Sequence, residues 1–214
     1  MTDAAVHTIE RDLREIFGSR LASLVAYGSP GPTMHTMAIV DRLTKEDLKA
    51  CAAKISGWHD AHLATPLILG THEFENSLDA FPLEFGAILA AHTVVAGQNP
   101  FAGLTVDAAD LRRACEVQAR SHLLHLRQGY LETRGRADAL SVLIVRSAAA
   151  FKALLDHVER LDGPRPQLSE GIAGEVVKLV NVAEISNDDA LRIFPAYLEA
   201  VERLVTYING WSAR

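Results

Sequence analysis

Cysteine, net positive charge and long apolar runs are all scarce in this sequence of 214 residues. Its two cysteines, Cys51 and Cys115, lie far apart without a Cys-x-x-Cys pair, so we expect reduced, packed thiols and no disulfide. There are 21 Lys and Arg against 27 Asp and Glu, and this net charge of −6 argues against general nucleic-acid binding. No apolar run approaches the roughly 18 residues of a membrane span, and the first residues form an amphipathic stretch rather than a signal peptide. These absences predict a cytoplasmic protein with no membrane partner.

Motifs of several enzyme and metal-binding classes are missing as well. The sequence has no Gly-x-Ser-x-Gly, Gly-x-Gly-x-x-Gly, Walker A or His-Glu-x-x-His pattern. Two histidine pairs, His59/His62 and His122/His125, have no Cys or acidic ligand beside them at metal spacing. We therefore expect no metal ion at these pairs. Cys115 lies among apolar residues of a predicted helix, which does not favour a nucleophilic role.

The first hundred residues carry the helical and strand-like patterns of a mixed α/β domain. Hydrophobic residues make up 49% of the chain, which is enough for a core of ordinary size. Thr44 is a candidate N-cap, with Asp47 as its capping-box partner. The predicted elements are helix 4–17, strand 21–27, strand 34–40, helix 44–62, strand 66–69, helix 72–77 and strand 81–89.

From Asp107 onward the pattern changes to long helices with short connections, which is typical of a bundle. The predicted helices are 107–134, 137–161, 169–185 and one that begins at Asn187 or Asp188 and ends near Gly210. A Gly/Asn/Pro cluster at 97–103 marks the boundary, within a transition at 90–106. The sequence thus predicts an α+β chain with a mixed-sheet domain at 1–104 and an all-α bundle of about four helices at 105–214.

The segment Leu24–Ser29, an apolar strand that runs into Gly28-Ser29, resembles the opening motif of the nucleotidyltransferase superfamily. That group contains DNA polymerase beta and the aminoglycoside nucleotidyltransferases. The order of the predicted elements is similar too, and the later bundle resembles the helical partner domain of many members, so the resemblance covers most of the chain. Backbone N–H groups and the serine hydroxyl of such a loop donate to nucleotide phosphates. The resemblance therefore implies Gly28 and Ser29 as nucleotide- or anion-binding residues.

The same resemblance implies two Asp residues, one position apart, at the start of the strand after the loop. Period-two spacing puts both carboxylates on one face, where they hold the Mg²⁺ that serves transfer. Here no Asp or Glu lies between Gly28 and Val40, and His35 and Met37 stand at the matching positions. Methionine does not bind a hard cation and one imidazole is a poor substitute. A degenerate site is therefore predicted, with Mg²⁺ as a cofactor only if the protein is active.

Other carboxylates are weaker candidates for the missing site. Asp41 has the right parity but lies roughly 13 Å beyond Met37 along an extended strand. Glu84 stands inside the predicted strand 81–89, where a charge is normally paired or functional, so it is the candidate catalytic carboxylate. The alternative is that Glu84 is simply an exposed residue of an edge strand.

Four arginines recur every seven residues on the first long predicted helix: Arg113, Arg120, Arg127 and Arg134. Seven residues drift by only about 20° around a helix, so all four share one side. The functional reading is an anion or phosphate site that faces the α/β domain, with Arg113, Arg120 and Arg127 as binding residues. The alternative is a solvated face with pairs such as Glu116–Arg120.

Three hypotheses remain open from the residues. The first is a degenerate nucleotidyltransferase-fold protein that binds a nucleotide or another phosphate-bearing ligand in the cleft between the domains. The second is an active Mg²⁺-dependent transferase that acts on a small molecule or protein through Asp41, Asp79 and Glu84. The third is an interaction module whose bundle forms a homodimer and binds no ligand.

Overall fold

The computed structural model describes residues 3–28 and 31–211, which belong to two compact units, Met1–Asp107 and Ala108–Arg214. The first unit combines a sheet with helices and the second is helical, so the predicted α+β class is confirmed. Within the described ranges, no helix is both long and apolar enough to cross a membrane.

The first unit is built on a four-stranded sheet with the strand order β3-β2-β1-β4. Its strands are β1 (Leu21–Tyr27), β2 (His35–Val40), β3 (Leu67–Gly70) and β4 (His92–Gly97). β1 pairs antiparallel with both β2 and β4, whereas β2 pairs parallel with β3. The two central strands are buried along most of their length, which explains why they read as nearly continuous apolar runs.

Four helices accompany this sheet: α1 (Asp3–Phe17), α2 (Lys45–Asp60), α3 (Thr71–Glu75) and α4 (Pro82–Ala90). The predicted capping box at the start of α2 is confirmed. The Thr44 hydroxyl accepts from the Asp47 amide, and the Asp47 carboxylate accepts from the Thr44 amide. Arg20 also donates to both oxygens of Asp47 at 2.8 and 2.7 Å, and this pairing holds the pKa of Asp47 well below its usual range.

The two faces of the sheet bury different apolar clusters. On one face, residues of α1 and α2 such as Ile9 and Trp58 pack with Leu24, Ala38 and Val40 of the sheet. The opposite face carries a second cluster, here called the Met37 core. Its members are Val25, Met37, Ile39, Phe74, Phe85, Ile88 and Phe101.

The structure contradicts one predicted strand of the first unit. In place of the predicted strand 81–89 lies the helix α4 (Pro82–Ala90), with Pro82 in its first turn, where a missing N–H costs nothing. A short apolar run fits a buried strand and a buried helix equally well, so periodicity alone gave the wrong answer. The last strand is β4, which lies inside the segment expected to be only a transition.

The second unit contains three long helices, α5 (Ala108–Thr133), α6 (Ala137–Asp162) and α9 (Asn187–Gly210), which pack against one another. Of the predicted long helix 169–185, only Ile172–Val177 forms a helix of its own, α8, and another short helix, α7 (Pro166–Ser169), ends where the prediction begins. Gly171 and Asn181 both adopt positive φ, a conformation that interrupts a right-handed helix.

Candidate functional site

Tyr27 lies between two histidines at the end of the sheet where β1 ends. The register pairs Tyr27 with His35 of β2 and with His92 of β4. Residues directly opposite each other in a sheet project to the same face, so the three form a row beside Gly28. We call this end, with Tyr27, Gly28, His35 and His92, the Gly28 end of the sheet.

Tyr27 and His35 are the accessible part of this row. Their rings lie 5.7 Å apart at an interplanar angle of 37°, and His35 is exposed while Tyr27 is half-buried. Tyr27 also packs against the Met37 core, and this burial raises the pKa of its hydroxyl. A neutral phenol and an imidazole can donate hydrogen bonds to an anion or stack against a flat ring.

His92 is held more firmly than its two neighbours. Its Nδ1 lies 3.0 Å from the Leu89 carbonyl oxygen, and its Nε2 lies 3.0 Å from Oδ1 of Asn99. The same Oδ1 accepts the Phe101 amide at 3.0 Å, which fixes it as the acceptor. Both ring nitrogens therefore face acceptors, and the ring fastens the end of α4 and the start of β4 to the turn at Asn99. His92 supports the site rather than offering a free ligand group.

Gly28 adopts a φ of +91°, a conformation that favours glycine. Its amide donates to the carbonyl oxygen of Ala91 at 3.0 Å, so this N–H group already has a hydrogen-bond acceptor within the protein. Ser29, the second predicted anion-binding residue, lies outside the described residues. Among the described residues at this end, the candidate donors for a phosphate are therefore Tyr27 and His35.

The two positions where the resemblance implies carboxylates have opposite environments. His35 is exposed, whereas Met37 is fully buried, with 0% of its surface exposed. Met37 belongs to the same cluster as Phe74, Phe85 and Phe101, and two edge-to-face contacts of 5.9 and 5.4 Å join these rings. A hydrated cation has no place in this cluster because its walls offer no oxygen ligands.

The remaining candidate carboxylates lie away from the Gly28 end. Asp41 follows the far end of β2, about 20 Å from His35 at the usual rise of a strand. Glu84 is exposed in the first turn of α4, and Ala91, which meets Gly28, lies about 10 Å further along that helix. Among residues 3–28 and 31–211, no three His, Cys, Asp or Glu side chains are grouped closely enough to hold a metal ion.

The arginine row on α5 is largely engaged within its own unit. Arg120 donates to Glu116 and to Asn209, and Arg127 donates to Glu202 at 2.6 Å. Arg113 is exposed. Arg134 lies just beyond the end of α5 with a φ of +53°, so it departs from the common face predicted for the four arginines. The prediction that Arg113, Arg120 and Arg127 bind an anion stays a prediction.

The isolated histidine pairs and the cysteines have local roles. Nε2 of His122 lies 2.8 Å from the Tyr197 hydroxyl inside the second unit, and His59 contacts Thr65. Cys51 and Cys115 are free and buried, as the sequence predicts. Burial raises the pKa of Cys115 to about 11, which leaves it a packed thiol rather than a nucleophile.

Tyr27 and His92 are the residues of this end that the sequence did not single out. The sequence predicts Tyr27 only as the last residue of strand 21–27, and His92 falls within the transition at 90–106. Their common location depends on the strand register, which brings residues 65 positions apart onto one row. A polar residue directly before Gly28 was the one local signal.

Comparisons with known proteins give a fold and no family. No protein-family model matches the sequence, and no curated protein matches it. A solved structure is similar: the spectinomycin adenyltransferase AAD(9) from Enterococcus faecialis, with ATP and spectinomycin. The two share 11% identity with a TM-score of 0.50, over 94% of this chain and 100% of that one. The chain is thus similar in fold to an aminoglycoside adenyltransferase, a protein of the nucleotidyltransferase fold.

Proposed function

We propose that this nucleotidyltransferase-fold protein has lost catalysis and binds a nucleotide or another phosphate-bearing ligand at the Gly28 end of the sheet. The fully buried Met37 carries the proposal. Where a metal-dependent transferase needs a second carboxylate facing its substrate, this chain has a thioether packed among three phenylalanines. Without an oxygen ligand there, no Mg²⁺ can be held between the strand and a triphosphate.

The accessible part of the Gly28 end supports ligand binding. His35 is exposed next to the half-buried Tyr27, and both lie beside the loop that follows Gly28. The Gly28 end offers hydrogen-bond donors without a metal, which suits a phosphate group.

Thermal unfolding with each nucleoside triphosphate, with and without Mg²⁺, tests this proposal. A ligand at about ten times its Kd stabilises the folded state by about 1.4 kcal/mol, which raises Tm by a few degrees in a protein of this size. We expect a rise that does not require Mg²⁺. His35→Ala should remove it, while His7→Ala, a change at an exposed histidine of α1, should leave it intact.

The competing function is an active Mg²⁺-dependent transferase. It requires Asp41, Asp79 and Glu84 to act together, and the wide separation of Asp41 from the Gly28 end argues against this. Incubation with labelled ATP, Mg²⁺ and a panel of aminoglycosides and proteins should give no labelled product. Mg²⁺-dependent labelling that Glu84→Gln abolishes would refute the loss of catalysis.

A third outcome would separate ligand binding from a purely structural role. If no nucleotide and no inorganic phosphate shifts Tm at millimolar concentration, the ligand-binding proposal is wrong. The interaction module would then be the remaining function.

A further inference from the structure

An apolar row lies on the outside of α5. Val117, Leu124 and Leu131 are 62%, 62% and 75% exposed, and they recur at intervals of seven residues. Side chains with this spacing share one face of a helix, here over about 21 Å. We call these three residues the α5 seam. Single exposed leucines are ordinary, but a row with heptad spacing is the pattern by which one helix packs on another.

The seam has one charged flank and one neutral flank. Residues three or four positions from the seam residues lie on either side of the seam. One flank holds Arg113, Arg120 and Arg127, and the other holds Ala114, Ser121 and Gln128. No Asp or Glu occupies any of these adjoining positions within α5. Such an arrangement attracts a helix whose own flank carries negative charge.

The arginines can turn toward such a partner. The pairs Arg120–Glu116 and Arg127–Glu202 lie on the surface, with arginine side chains 55% and 50% exposed. Exposed ion pairs of this kind contribute little, about 0–1 kcal/mol, so exchanging their partners costs little. Arg113 makes no ion pair with any residue in the described part of the chain and needs no exchange.

A second copy of this chain matches the seam poorly. Two seams packed antiparallel about Leu124 place Arg120 of one copy against Arg127 of the other, and like charges repel. A parallel pair sets each arginine row beside the row of Ala114, Ser121 and Gln128, which carries no charge.

We propose that the α5 seam binds an amphipathic helix of another protein, with aliphatic residues at heptad spacing and Asp or Glu along one flank. This inference does not depend on nucleotide binding. The aliphatic side chains fill the seam, and the acidic flank meets Arg113, Arg120 and Arg127.

Two synthetic helical peptides of 21 residues test the proposal with the full-length protein. Both carry Leu at heptad spacing; the first carries Glu along one flank, and the second carries Lys at the same positions. Fluorescence anisotropy should show at least tenfold tighter binding of the Glu peptide. Leu124→Gln should weaken it at least fivefold, while Val142→Gln, at an exposed aliphatic residue of α6, should not. Arg113→Glu should shift the preference toward the Lys peptide.

Several results would overturn the proposal. Equal affinity for the two peptides would remove the charge selectivity, and binding of neither would remove the seam as a helix site. Retention of full affinity by Leu124→Gln would place the contact elsewhere. A dimer in sedimentation that Leu124→Gln converts to a monomer would assign the seam to a second copy of the chain.

Discussion

His122 shows how one buried side chain couples folding of the second unit to pH. The Tyr197 hydroxyl donates to Ser147 at 3.1 Å, and Ser147 donates to the Ile144 carbonyl oxygen, so Nε2 of His122 must be the donor to Tyr197. Burial lowers the pKa of His122 from 6.5 to about 4, and the nearby His125 adds to the effect. The ring is therefore neutral and hydrogen-bonded in the folded protein at neutral pH.

This depressed pKa predicts the direction of a pH effect on stability. Because the unfolded chain binds the proton more tightly, the free energy of unfolding should fall as pH drops from about 6.5 to about 4, by about 3 kcal/mol at most from this group. Urea unfolding at several pH values measures the slope of the free energy of unfolding against pH. His122→Gln should reduce the slope between these values, and His7→Gln should not. An unchanged slope in His122→Gln would show that other groups cause it.

Thr36 presents the opposite situation, a buried hydroxyl without a partner. It is 1% exposed, and its Oγ1 has no hydrogen bond within the described part of the chain. Because an unsatisfied buried polar group costs about 1–3 kcal/mol, Thr36→Val should raise the free energy of unfolding by about 1 kcal/mol. The midpoint of urea unfolding measures this. Thr36→Ala, which removes a methyl group as well, is the matched control and should be less stable than Thr36→Val.

At the scale of elements, Gly97 ends β4 where no side chain can be accommodated. Its φ is +76°, and a Cβ atom there would overlap the carbonyl oxygen of Ala22. Gly103 has nearly the same φ, +74°, but open space around it. Gly97→Ala should therefore cost at least about 2 kcal/mol more than Gly103→Ala, whose cost is backbone strain alone. Similar decreases in Tm for the two variants would contradict the overlap.

Sequence periodicity predicted most elements, and its failures have identifiable physical causes. The run 81–89 is short and, apart from Glu84, apolar, so the 3.6-residue and two-residue periods fit it equally well. β4 lies on an edge and carries only one largely buried residue, Ala96, which left no alternation to detect. The third predicted bundle helix failed because Gly171 and Asn181 take up positive φ, which only the folded context selects.

The candidate site was only partly predictable for a related reason. The missing carboxylates could be read directly, because absence of Asp and Glu between Gly28 and Val40 is a property of the sequence. The surroundings of Met37 could not be predicted, because Phe74, Phe85 and Phe101 pack around it from three separate segments of the chain. Tyr27 and His92 likewise meet only through the strand register.

At the scale of the whole molecule, we propose that the two compact units are separate folding domains. A fragment of residues 105–214 should then fold alone, because α5, α6 and α9 each bury a full apolar face within that unit. Circular dichroism should show a helical spectrum and a cooperative thermal transition. A broad, non-cooperative transition would mean that the bundle needs the first unit.

The buried thiols give the molecule an intrinsic kinetic reporter. Cys51 lies in the first unit and Cys115 in the second, and each is the single thiol of its unit. A thiol reagent can label each one only when the surrounding structure opens, since burial both shields the sulfur and raises its pKa. The two labelling rates, followed in one sample of the unaltered protein, therefore measure separately how often each half of the molecule opens.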